Sequence, residues 1–293
     1  ILTLLVTRES QIKMEETFQL LNQCSGKMSW ESVLGRVAFA NCDPIFDGLE
    51  DKWKILPAPP SWLTGHLLRR DCLTAPIPAA DYAKHSDELL LLPNLGIVSK
   101  GDVGSVILFG TRSINQMRDI ALPSDSSTSR ALLQWFLKLK NLDPKFHEMG
   151  PDLTAMLEKS DGALLIGDRA LIAAKDNPDL VKLDLGAEWT KITGFPMVFG
   201  VFAARKDSPF SKLNVARNDM INQYDRFLED SSWKQAVISR TSSKLGFSES
   251  RISEYFNVEV QNKLDDESKE GLDHFLKVVC DMQDDITWLP NQE

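Results

Sequence analysis

Apolar residues recur along this chain with two periods, and the alternation between them organises it. Short apolar runs at 36–40, 73–78, 105–110, 119–122, 162–166 and 197–204 predict strands. Between them the 3.6-residue period predicts helices over 61–70, with Ser61 as N-cap, then just after 124–129, over 151–160 and near 170–174. The helix after 129 is expected to bury Leu132, Trp135, Phe136 and Leu139 on one face. Such alternation implies an α/β fold with mainly parallel sheets. After Ser208 only helices are expected, over 214–228, 231–245, 248–256 and 265–282. Ahead of this body, a short helix over 12–21 with Met14, Phe18 and Leu21 on one face reads as an appendage. No repeat of fixed period is visible.

Composition narrows the class. The 293 residues are 43% hydrophobic and 26% charged, which excludes a disordered chain, collagen and low-complexity fibre. The length suggests one large or two modest domains, able to bury a core without disulfide or metal staples. The net charge is -9, and residues 246–293 alone hold twelve acids against four bases, a net of -8. That tail reads as a solvated acidic face on a near-neutral body. No basic patch interleaved with aromatics is present, so nucleic acid is not an expected partner. The longest apolar run, 195–204, is far short of the roughly 20 residues that span a bilayer, so no membrane association is expected. Residues 1–7 are apolar but too short for a signal sequence and lack a cleavage pattern.

Cys24, Cys42, Cys72 and Cys280 form no C-x-x-C pair, and read as reduced, mostly buried thiols of a cytoplasmic protein. His66, His85, His147 and His274 lack metal-ligand spacing, so no metal is expected. Phosphate-loop, dinucleotide, zincin and nucleophile-elbow motifs are all absent, but enzymes that need no cofactor remain open.

Three segments carry candidate chemistry. Residues 124–129 supply five hydroxyls and one Asp where a strand runs into a helix. Ser127, Thr128 and Ser129 at that helix start could seat a carboxylate; the plainer reading is one capping hydroxyl and an exposed loop. Asn41 ends a strand, where α/β sheets gather ligands, although it could equally cap the helix opened by Pro44. Cys42 beside it reads as a small buried thiol. Ser105 opens a strand and faces either a cleft or the surface. Asp168 follows a buried strand and either caps the next helix or supports the cleft.

Read in order, four segments resemble one family. They are Arg36 to Phe46 with its Phe-Ala-Asn-Cys-Asp-Pro core, Gly104-Ser105-Val106-Ile107-Leu108, Leu164 to Leu171 with Ile-Gly-Asp-Arg, and Asp184-Leu185-Gly186-Ala187-Glu188-Trp189 running on through Thr193 to Phe199. The family is chorismate dehydratase of menaquinone biosynthesis by the futalosine route. Tyr255-Phe256 and Gly271-Leu272-Asp273-His274-Phe275 are similar to its helical end.

This resemblance implies a two-lobed α/β fold like the type II periplasmic binding proteins. The expected division is 1–34 as an N-terminal extension, 35–112 with 201–293 as the first lobe, and 113–200 as the second. The implied reaction is loss of water from chorismate, a dicarboxylate, to give 3-(1-carboxyvinyloxy)benzoate. Aromatisation drives it, so no cofactor is implied. Asn41 and Ser105 match positions lining the reacting centre and would orient and polarise. Ser127, Thr128, Ser129 and Asp168 would bind substrate, whose own enolpyruvyl carboxylate could take the proton. The chain departs from the family at Ala40, where Leu is usual, and at Pro78 and Ala79, where a hydroxyl is common. Competing readings are a solute receptor that captures a small anion on the same fold, the sister enzyme dihydroxynaphthoate synthase, and a dehydratase homologue that binds without turnover. The lack of a signal sequence and lipid-anchor cysteine argues against the receptor. Residues 166–168 and Asn41-Cys42 fit the dehydratase better than the synthase. Oligomeric state is left open.

Overall fold

Strands that are apolar at every position need cover on both faces. The computed structural model, which describes residues 29–290, supplies that cover in two lobes. The strands are β1 (Val33–Val37), β2 (Lys54–Ala58), β3 (Ala75–Pro78), β4 (Leu89–Ser99), β5 (Val106–Gly110), β6 (Asp119–Pro123), β7 (Lys145–Met149), β8 (Gly162–Ile166), β9 (Val181–Asp184), β10 (Met197–Arg205) and β11 (Gln261–Leu264). One sheet has the order β7-β6-β8-β5-β9. The other has β11-β4-β10-β3, and β1 with β2 extends it. Gly35 N–H donates to Thr74 O at 2.9 Å and Leu73 N–H to Val33 O at 2.8 Å, which joins β1 to the start of β3.

The two sheets therefore share one plan. Three parallel strands, β2-β1-β3 or β7-β6-β8, are followed by one reversed strand and then a fourth. The reversed strand is in each case the one that arrives from the other lobe. β5 enters the second sheet from β4, antiparallel to β8 and β9; β10 returns from β9, antiparallel to β3 and β4. This corrects the expectation of mainly parallel sheets, since five of the nine neighbouring strand pairs among the described residues are antiparallel. The cause is geometric. A lobe's own strands are separated by helical crossovers and run toward the interlobe face, whereas a crossing strand starts at that face and runs away from it.

Sheet pairing also sets where the chain changes lobe. β5 already belongs to the second sheet, ahead of the expected boundary at 112/113, and β10 belongs to the first sheet from Met197. The helices-only reading after Ser208 is corrected by β11, which pairs with β4. The helix expected over 61–70 is Pro60–Leu68; it opens on proline at its first position and Ser61 is not its cap. Leu139 is 51% exposed and lies off the buried face of Ser127–Leu139. The helix expected over 151–160 shortens to Leu153–Leu157, and that over 248–256 is Glu249–Glu254 followed by a π turn, Tyr255–Glu259. The helix expected over 12–21 lies outside the described residues.

Aromatic packing ties the C-terminal helix Asp266–Val278 to the second crossover. Trp189 is fully buried, donates Nε1–H to Pro196 O at 3.1 Å and meets the Phe275 ring edge-on at 5.9 Å. Gly271 sits so close that an added Cβ would lie 2.3 Å from Pro196 O. Gly271→Ala gains about 1 kcal/mol of helix propensity. It must also push a backbone carbonyl aside, and overpacking of that kind costs about 1–3 kcal/mol. The variant is expected to melt lower than the parent by scanning calorimetry; an equal or higher melting temperature would show that the helix is not docked here.

Candidate active site

Strand ends converge between the lobes. Val37 ends β1 with Phe39 and Asn41 just beyond it, Ile77 and Pro78 close β3, Ser126, Thr128 and Ser129 follow β6, and Ile166 closes β8 with Gly167 next after it. The crossing strands add Val106, Phe199 and Gly200, and the segment leading into β5 adds Val103 and Ser105. Together with Pro60 and Ile97 they line a narrow cleft between the lobes. The wall is mostly apolar with a few polar groups, the usual character of a small-molecule site.

Asn41 lies in the short turn Ala40–Cys42 and is buried. Its backbone carbonyl accepts from Asn262 Nδ2 at 3.1 Å, while its side-chain Oδ1 is buried without a partner. A carbonyl oxygen so placed is an acceptor waiting for a donor. Ser105 is buried at the start of β5. Its Oγ accepts from the Tyr255 hydroxyl at 3.0 Å and reaches Val103 O at 3.3 Å.

The helix Ser127–Leu139 points its first turn at the cleft. Its N-cap, Ser126, makes no side-chain cap, so the orphan N–H groups of that turn are not taken by a capping hydroxyl. Ser126, Thr128 and Ser129 all face the cleft. Of the predicted trio, Ser127 does not line it. Thr128 Oγ1 also accepts Ala80 N–H at 3.1 Å, which links the lobes. Uncapped N–H groups, the helix dipole and three hydroxyls are the kind of donors that attract an anion.

Asp168 does not line the cleft either, and it does not cap its helix, Gly167–Asp176. Its carboxylate accepts Ala40 N–H from the other lobe at 2.8 Å. Burial raises its pKa above 3.8, against the lowering effect of that N–H and of Lys244, Arg36 and Arg169. Beside it Gly167 has φ +60°, and its missing Cβ would stand 2.5 Å from the Phe39 ring. Arg169 lies over the same ring at 5.5 Å and pairs with Asp125 at 2.7 Å.

Burial pushes the Cys42 thiol up to about 12, so it is an inert packing group and not a nucleophile. Among the described residues no group of three or more His, Cys, Asp or Glu comes together as a metal site, and no helix is long and apolar enough to cross a membrane. Sequence reasoning named Tyr255 only within the family-like helical end and gave it no role; it stands 150 positions from its partner Ser105.

A sequence profile for a family described as menaquinone biosynthesis matches residues 32–280. The chain belongs to the menaquinone biosynthesis family. Its relatives include a chorismate dehydratase of Thermus thermophilus, 32% identical over 199 residues, which are 62% of this chain and 73% of the relative. Solved structures share the fold of this family member at low identity. An Archaeoglobus fulgidus protein superposes with a TM-score of 0.65 at 17% identity, over 84% of this chain and 96% of its own. A Candida albicans gene product with the generic periplasmic binding protein fold gives 0.59 at 14%, over 86% and 91%. The periplasmic aliphatic sulphonate-binding protein SsuA of Escherichia coli gives 0.58 at 14%, over 89% and 94%. The menaquinone family chain thus has a periplasmic-binding-protein-like fold.

The Asp168 contact predicts a pair of opposite effects. A raised carboxylate pKa means that the folded state binds the proton more tightly than the unfolded state. Asp168 therefore withdraws stability as pH rises above 3.8 through the raised folded-state value. Asp168→Asn keeps an acceptor for Ala40 N–H and removes the buried charge, so at neutral pH it should be at least as stable as the parent. Asp168→Ala leaves that N–H unpaired and should lose about 1–3 kcal/mol. Urea denaturation at pH 7 checks both; equal loss in the two variants would contradict the contact.

Proposed function

We propose that this cleft eliminates water from chorismate to give 3-(1-carboxyvinyloxy)benzoate in a futalosine-type route to menaquinone. Family membership and the Thermus relative support the reaction class. The observation that carries it is the unpartnered Asn41 Oδ1 on a cleft wall that also holds Ser105 and a hydroxyl-rich helix start.

The chemistry fits these groups. A proton leaves C3, the C4–O bond breaks, and the two fragments depart as one water while the ring becomes aromatic. No electrons are gained or lost. Asn41 and Ser105 are not bases near neutral pH, so the C3 proton passes to the substrate's own enolpyruvyl carboxylate. Asn41 Oδ1 accepts from the C4 hydroxyl and fixes its orientation. The Ser105 O–H donates a hydrogen bond to the C4 oxygen as negative charge builds there and keeps its proton, while the carboxyl hands the C3 proton to the departing oxygen, so that one water leaves. The Ser127–Leu139 helix start holds a carboxylate and so sets which ring face meets Ser105. Asp168, first assigned to substrate, instead holds the Asn41 turn in place.

The test is to mix the protein with chorismate and follow aromatic absorbance and product mass. Loss of one water is expected. Asn41→Ala and Ser105→Ala should each lower kcat about 100-fold: for Ser105 the scale of one lost donor at a developing charge, for Asn41 the scale of a misoriented reacting group. Ser129→Ala should chiefly raise KM. Binding of chorismate without turnover would instead favour a non-catalytic anion binder, and turnover of a different cyclic substrate would favour the sister synthase.

A further inference from the structure

Ser105 is held from three sides, and one of its supports comes from the far end of the chain. Asp184 fixes the segment before it, accepting Val103 N–H at 3.1 Å and Gly104 N–H at 2.8 Å. Gly104 has φ +64°, and an added Cβ there would run into the Glu259 carboxylate. Glu259 is itself held by Arg251 at 2.9 Å. The third support is Tyr255. Tyr255 and Glu259 are the two ends of the π turn, closed by Val260 N–H to Tyr255 O at 2.9 Å. One wide turn of the C-terminal segment thus carries two of the groups that hold the Gly104–Ser105 step. Turns of this kind, which store an irregular backbone, concentrate at functional sites.

The Tyr255 phenol is fully buried, and burial drives its pKa far up, so it stays neutral at all working pH and cannot act as a base. Among the described residues its proton has Ser105 Oγ as its acceptor. A buried hydroxyl without an acceptor is costly, so the phenol donates there. That bond occupies a Ser105 lone pair and leaves the serine's own proton two destinations: the long 3.3 Å contact to Val103 O, or the cleft.

We propose that Tyr255 is a positioning residue for the dehydration: its hydroxyl, donating to Ser105 Oγ, aims the serine proton at the departing C4 oxygen. The inference rests on the dehydratase reading for its kinetic part. A donor feeding Ser105 also makes the serine a better donor in turn, because hydrogen bonds in a chain polarise one another. Tyr255 touches neither substrate nor the reacting atoms, so its effect travels through Ser105 alone.

Tyr255→Phe keeps the ring and removes the oxygen. It is expected to lower kcat about tenfold with KM within twofold, the scale of one neutral hydrogen bond. In a Ser105→Ala background the same change should cost nothing more. Unchanged kcat in Tyr255→Phe would overturn the proposal, as would a full tenfold loss that persists without Ser105, which would mark a merely structural role. A second readout needs no activity. In Ser105→Cys, thiolate absorbance against pH should show a proton affinity about tenfold lower with Tyr255 than with Tyr255→Phe, because the phenol stabilises the thiolate. Identical titrations overturn the donor role. If the parent protein leaves chorismate untouched, the dehydratase reading fails, and the thiol titration still decides whether Tyr255 aims residue 105.

Discussion

Gly167 has no Cβ, and the Phe39 ring stands where one would be. The rest of the site depends on that contact. It brings the turn after β8 against the turn after β1 closely enough for Asp168 to take Ala40 N–H. The adjoining Ala40–Cys42 turn then holds Asn41 at the cleft wall. Two further bonds repeat the arrangement: Ala80 N–H reaches Thr128 across the gap, and Tyr255 reaches Ser105. The polar groups of the cleft are therefore assembled by contacts between lobes and do not belong to either lobe alone.

Topology explains why the chemistry collects in one place. Each lobe directs its own strands at the interlobe face and receives one reversed strand from its neighbour. Residues that follow β1, β3, β6 and β8, and those that begin β5, thus meet in one cleft although they span 37 to 200 in sequence. The apolar strands make the wall rigid, and the short turns beyond them carry the functional side chains. Precise positioning by rigid elements is what an orienting mechanism without a strong base requires.

Much of this was legible in the sequence where one period dominated. β5, β8 and β10 are continuous apolar runs, and the helix Ser231–Leu245 lies between a capping Asp230 and a left-handed Gly246, so its expected ends agree with the structure. Asn41, Ser105, Thr128 and Ser129 were readable as cleft residues because strand ends and helix starts are where polar side chains can face a ligand. Other elements carried no such signal. β4, for which no strand was expected, is interrupted by Pro93 and by Asn94 with φ +72° and so lacks an unbroken apolar run. β7 is largely exposed and β11 is mostly polar, so neither shows apolar alternation. Ser127 differs from its neighbours only by the rotation of one helical residue. The roles of Asp168 and Tyr255 depend on partners 128 and 150 positions away, a distance over which spacing says nothing.

The most direct test is a crystal structure of the Asn41→Ala protein with chorismate bound. The account predicts chorismate between the lobes, one carboxylate on the first turn of the helix Ser127–Leu139, and the C4 oxygen within hydrogen-bond reach of Ser105. Chorismate bound outside the cleft, or seated with C4 turned away from residues 41 and 105, would contradict it.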